Sequence, residues 1–133
     1  MKTHDVQSVS IAQPANVVFE FIAEPQNLPK WTNAFKRADS TTAQLVTPNG
    51  EVPIQLNTIA SLESGSIDWE LTFPDGAVGY AYSRVTPDGE DKSIYSFVLM
   101  APPVPLEALE GALTEQIKIL ASELTELKAH LET

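Results

Sequence analysis

Few side chains in this sequence suit covalent or proton-transfer chemistry, and their positions narrow the choice. There is no cysteine, which removes thiol nucleophiles, disulfides and thiolate metal sites. The two histidines, His4 and His130, stand near opposite ends of the chain. A metal site wants several converging His, Asp or Glu ligands, and a histidine-activated hydroxyl wants its base within hydrogen-bond reach. Neither pattern is supplied, so no metal and no cofactor are expected, and no residue is assigned a catalytic role. Glu51, Asp68 and Glu70 alternate with apolar neighbours. That spacing puts them on the wet face of strands and gives no support for a convergent carboxylate pair.

The aromatic residues say more. Trp69, Tyr80, Tyr82, Tyr95 and Phe97 crowd into the last three β-type runs, with Trp31 upstream. They either fill a core or line a cavity for an apolar ligand. Phenol hydroxyls need partners when buried, and the small residues Gly79, Ala81 and Ser83 leave room beside them; both points favour a cavity. A tyrosine hydroxyl can bind a carbonyl or act as a weak acid. Arg84 is the one basic residue between Ile67 and Val85, and it shares strand parity with Tyr80 and Tyr82. On an inner face it would anchor a carboxylate or other oxyanion. If Ala81, Ser83 and Val85 point inward instead, Tyr80, Tyr82 and Arg84 all face solvent.

These residues need elements to hold them. Leu106, Leu109, Leu113, Ile117, Leu120, Leu124, Leu127 and Leu131 recur at a mean step near 3.6, which predicts one long amphipathic helix over 106–131. A coiled-coil seam is the other use of such a stripe. The two four-residue steps around Leu113 break a strict heptad, which favours packing on the chain's own sheet. Upstream, Val6–Ile11 reads as a strand, and Pro14 opens a helix whose apolar face is Val17, Val18, Phe19, Phe21 and Ile22. Glu24-Pro25 ends it, and residues 26–31 form a second short helical turn, interrupted by Pro29. From Phe35 to Met100 the pattern becomes β-runs parted by Asp39-Ser40, Pro48-Asn49-Gly50, Glu63-Ser64-Gly65, Pro74-Asp75-Gly76 and Pro87-Asp88-Gly89. This predicts an antiparallel meander with one wet and one dry face. Residues 101–105, Ala-Pro-Pro-Val-Pro, are a stiff connector into the long helix.

Bulk properties set the remaining limits. At 133 residues, 43% hydrophobic and 20% charged, the chain is expected to be a single domain over 1–133 with a substantial core. No run approaches the roughly 20 apolar residues of a membrane span, and residues 1–5 lack the apolar stretch of a secretory signal. A soluble, cytoplasmic protein is expected, without membrane insertion. The net charge of −10 opposes nucleic-acid binding, where phosphate neutralisation supplies much of the affinity.

Residues 9–22, Val-Ser-Ile-Ala-Gln-Pro-Ala-Asn-Val-Val-Phe-Glu-Phe-Ile, followed by Glu24-Pro25-Gln26-Asn27-Leu28-Pro29-Lys30-Trp31, resemble the opening of the START-like, helix-grip superfamily. This group (SRPBCC) includes birch-pollen-allergen-like, polyketide cyclase/dehydrase and lipid-transport proteins. The resemblance covers nearly the whole chain and is most specific over residues 9–31. It implies an α+β helix-grip fold: a curved antiparallel sheet of about seven strands gripping the C-terminal helix, with two short helices after the first strand. It also implies an apolar cavity between sheet and helix, with its mouth near those short helices. The glycine-rich loop of some members is here reduced to Pro48-Asn49-Gly50.

The leading expectation is a binder of a small hydrophobic molecule such as a lipid, polyketide or quinone, acting as monomer or homodimer. Its cavity would be lined by Trp31, Trp69, Leu71, Tyr80, Tyr82, Tyr95 and Phe97, covered by Leu109 and Leu113, with Arg84 as a possible anchor. The alternatives are a cyclase or dehydratase using one of the tyrosines, and a ligand-free protein-interaction module.

Overall fold

The computed structural model describes residues 3–47, 50–101 and 106–132, with the side chains of residues 47 and 106–112 outside that description. The chain opens with strand β1, His4–Ile11. Pro14 follows in extended conformation (φ −58°, ψ 149°) as the cap of helix α1, Ala15–Ala23. Its carbonyl receives both the Val17 and Val18 amides, at 3.1 and 3.2 Å. Proline therefore stands one residue ahead of the helix, where its fixed φ and missing N–H cost nothing. Pro25 ends α1 and starts a 3-10 turn, Pro25–Asn27, that runs into the four-residue helix α2, Leu28–Trp31. Pro29 does not interrupt this segment. It lies in the first turn of α2, where no helical N–H is needed.

Six strands follow as a meander: β2 (Phe35–Ala38), β3 (Thr42–Thr47), β4 (Gly50–Ser61), β5 (Ser66–Thr72), β6 (Val78–Pro87) and β7 (Ser93–Met100). With β1 they make one seven-stranded antiparallel sheet of order β1-β7-β6-β5-β4-β3-β2. The short helices thus lead the chain from one sheet edge to the other. Two turns show why their residues are there. Asp39 Oδ1 accepts the Thr41 and Thr42 amides at 2.9 and 2.8 Å, which closes the β2–β3 hairpin and holds the carboxyl down at about 2. Gly65 ends the β4–β5 turn at φ +76°; its carbonyl accepts the Val85 amide at 2.8 Å and so pins the turn to β6. The expected turn at residues 48–49 and most of the proline connector, 102–105, lie outside the described residues.

Helix α3, Leu106–Glu132, is 27 residues long, about 40 Å at 1.5 Å per residue. Polar clasps fasten it to the β1 segment. Gln7 Nε2 donates to Ile117 O at 2.9 Å, Gln13 Nε2 to Leu131 O at 2.7 Å, and Lys128 Nζ to Ser10 O at 2.6 Å. Leu113, Leu120, Leu124 and Leu127 of its stripe are buried within this chain. Leu120, Leu124 and Leu127 share one core with Ile11, Val18, Ile22, Ile67, Val85 and Tyr95, at the end of the sheet closed by α1. Among the described residues no helix is long and apolar enough to cross a membrane.

Candidate functional site

Residues paired directly across an antiparallel ladder share a face, so the register decides what points inward. Thr58 pairs with Trp69, Trp69 with Ala81, and Ala81 with Leu99. In the next inward row Ile67 pairs with Ser83, Ser83 with Phe97, and Phe97 with Gln7. The third joins Val85, Tyr95 and Val9. The inner face of β6 is therefore Gly79, Ala81, Ser83 and Val85. Tyr80, Tyr82 and Arg84 take the outer face, which corrects the expectation that they line a cavity. The two tyrosines are 47% and 40% exposed and lie parallel, ring centres 6.2 Å apart. Arg84 is exposed and its Nε donates to Ser64 O at 3.1 Å.

The other candidates converge. Trp31 of α2 meets Tyr95 edge-on at 6.2 Å, Tyr95 meets Phe97 at 6.4 Å, and Phe97 stacks on Trp69 at 6.1 Å. One line of aromatic rings thus crosses the inner face from the α2 side to β5. Trp31, Trp69 and Tyr95 are buried, as is Leu113 of α3, while Leu71 and Phe97 are half-buried. Trp31 is part of the interior and not of its rim. The Leu109 side chain lies outside the described residues.

This aromatic line carries unmet polarity. Trp31 Nε1, Trp69 Nε1, Tyr95 OH, Thr58 Oγ1 and Ser93 Oγ are buried without a hydrogen-bond partner among the described residues. Complete burial pushes the Tyr95 phenol far up, so it stays a neutral donor. Its polar neighbour Ser83 offsets a little of that rise. The two hydroxyls nevertheless miss hydrogen-bond geometry, and Ser83 Oγ donates to Ile67 O at 2.6 Å.

Glu123 of α3 is the residue that sequence reading missed. It stands three residues after Leu120 and four before Leu127, which is the stripe's own spacing, and it is buried with them. Its Oε2 accepts the Asn33 amide at 2.6 Å, tying α3 to the α2–β2 junction. Burial raises its pKa, against the pull of the Asn33 and Ala34 amides. Its charge in turn adds to the rise at Tyr95, which marks the two as electrostatic neighbours. A carboxyl whose hold on its proton is strengthened by burial, near a phenol that stays neutral, can offer hydrogen bonds to oxygen, with the carboxyl as the acid of the two. Among the described residues no group of three or more histidines and carboxylates is placed to hold a metal. An open surface groove of about 580 Å³ runs past Arg37, Thr42, Pro53, Gln55 and Thr72, and none of the orphaned polar atoms belongs to it.

No family model matches the chain, and no curated protein matches it. Solved structures do. A START superfamily protein from Mycobacterium smegmatis superposes with a TM-score of 0.73 at 15% identity, covering 98% of each chain. The protein XoxI from Bacillus cereus gives 0.71 at 15%, over 98% of this chain and 96% of the other. The Zhui aromatase/cyclase from a Streptomyces species gives 0.69 at 10%, over 97% and 93%. This is the START-like, helix-grip fold. At these identities the likeness is one of architecture. The START-like frame accounts for the curled sheet, the two short helices after β1 and the long C-terminal helix; the chemistry of the interior rests on this chain's own residues.

Proposed function

We propose that this START-like chain binds a small hydrophobic ligand between the inner face of its sheet and α3. The observation that carries the reading is the unequal filling of that face. Near α1, Ile67, Val85 and Tyr95 are sealed. Farther along the same strands Leu71, Phe73, Gly79, Ala81, Phe97 and Leu99 also belong to the inner side, yet they are only partly buried. An apolar wall with small residues at its centre leaves surface for a guest. Each 100 Å² of apolar guest surface removed from water would contribute roughly 2.5 kcal/mol before the costs of association. Trp31, Trp69, Leu71, Tyr95, Phe97 and Leu113 are the lining we favour, and lipids, polyketides and quinones are the molecules that fit it. The binding unit is the whole of 1–133, and with a net charge of −10 nucleic acid is not its partner.

A second reading, an enzyme of the cyclase or dehydratase kind, is favoured by one feature, the Glu123–Tyr95 pair. It places a carboxyl whose pKa is raised by burial near a neutral phenol donor in an interior made mostly of hydrocarbon and aromatic rings.

Native mass spectrometry of gently purified protein, set against its denatured mass, tests the binding reading. The expected result is an extra mass of a few hundred daltons that leaves on unfolding. A bare native mass together with no uptake of Nile red would sink it.

A further inference from the structure

The unmet donors on the aromatic line say what kind of guest fits, given the binding reading above on which this inference rests. We infer that the ligand is neutral and presents oxygen acceptors, ketone or quinone carbonyls, to Trp31, Trp69 and Tyr95, and that hydrocarbons and carboxylates of the same shape are bound less well. An indole N–H can only donate. Trp31 and Trp69 are 3% and 4% exposed and Tyr95 is 0% exposed, yet none of their polar atoms has a partner among the described residues. A buried donor left unpaired carries the full cost of its desolvation. The missing groups must be acceptors, and they must lie along the ring path Trp31–Tyr95–Phe97–Trp69, whose successive centres are 6.1 to 6.4 Å apart. Thr58, paired across the ladder with Trp69, adds another orphan at the far end.

Charge decides between acceptors. A carboxylate guest would meet Glu123, buried on the α3 side. No cation faces it. Among the described residues every lysine and arginine is exposed except Lys128, and Lys128 is held on the α3–β1 seam by Glu132 at 2.7 Å and Ser10 O at 2.6 Å. An uncompensated anion in a dry interior is strongly disfavoured, whereas a neutral carbonyl carries no such cost and can accept from the orphaned N–H and O–H groups.

Three naphthalene probes of one shape test this: methyl naphthyl ketone, isopropenylnaphthalene and naphthoate, titrated into the ¹⁵N-labelled protein at neutral pH. The chain has two tryptophans, so its two indole Nε1–H resonances are assigned by Trp31→Phe and Trp69→Phe. The ketone is expected to bind about tenfold more tightly than the hydrocarbon, the equivalent of one good hydrogen bond, and to move at least one indole resonance downfield. Naphthoate is expected to be the weakest. Tyr95→Phe should lower ketone affinity several-fold and leave the hydrocarbon's unchanged, a difference that a merely structural tyrosine would not produce. Equal ketone and hydrocarbon affinities with unmoved indole resonances would overturn the acceptor assignment while leaving the protein a hydrophobic binder. Naphthoate as the tightest probe would overturn it too. Binding of none of the three would remove both the assignment and the binding reading.

Discussion

A carboxyl carried into a core must be neutral or be held by donors, and Glu123 has something of each. The Asn33 amide reaches it at 2.6 Å, and burial still raises its pKa. The sign of its pH effect follows. A folded-state pKa above the ordinary 4.5 means the folded chain holds this proton more firmly than the unfolded one. That contribution is complete below the unfolded value and is lost as pH rises through the raised folded value. Glu123→Gln keeps an acceptor for Asn33 and removes the titration. Urea unfolding of both proteins should therefore show the Gln variant gaining on the wild type as pH rises above the ordinary glutamate value of 4.5. A difference that stays constant over that rise would refute the assignment. Glu123→Leu should cost about 1 kcal/mol or more, because it leaves the Asn33 amide without its partner. Position 123 was open to a sequence reader, since it has the same three- and four-residue spacing as the buried leucines. Glutamate is so rarely buried without a partner that the partner, an amide 90 residues away, had to be seen first.

Strand β6 shows where pattern reading stops. In β5 the alternation of Ile67, Trp69 and Leu71 with Asp68, Glu70 and Thr72 names its own inner face. In β6 the larger residues, Tyr80 and Tyr82, lie on the outside, and the small ones, Gly79, Ala81 and Ser83, lie within. Size and hydrophobicity alone point the wrong way, and a one-residue change of register reverses every side chain. The β5–β6 register fixes the answer, and Gly65 helps hold it. That glycine sits at φ +76°, and a Cβ there would stand 2.3 Å from Val85 O, the atom's own strand neighbour in β6. Gly65→Ala combines a left-handed backbone cost with a backbone collision, so a loss of about 2–4 kcal/mol is expected in chemical denaturation. Gly89→Ala, at φ +82° with open space around it, should lose only about 1–2 kcal/mol. Equal losses would mean that the β4–β5 turn yields freely and does not pin β6.

The strand series, the proline-started helix and the leucine stripe are periodic signals, so the helix-grip architecture could be read along the chain. A cavity has no period. It depends on which sizes meet across the sheet, and that required the register. Ala81 is the position where the whole-molecule reading can be put at risk. It lies on the inner face between Trp69 and Leu99 in neighbouring strands, partly buried against the core. If the interior is already filled, Ala81→Phe forces extra carbons into close-packed surroundings, which costs typically 1–3 kcal/mol or more. If the space is a ligand cavity, the new ring occupies it at little cost and displaces the guest. The expectation is a variant within about 1 kcal/mol of the wild type in stability whose native mass is bare and which no longer takes up Nile red. Tyr82→Thr, a change of similar size on the outer face, should leave ligand retention intact. A strongly destabilised Ala81→Phe from a wild type that retains nothing would instead describe a filled START-like core. The half-buried inner wall would then be part of how this sheet packs, and the orphaned indoles would be satisfied by buried water.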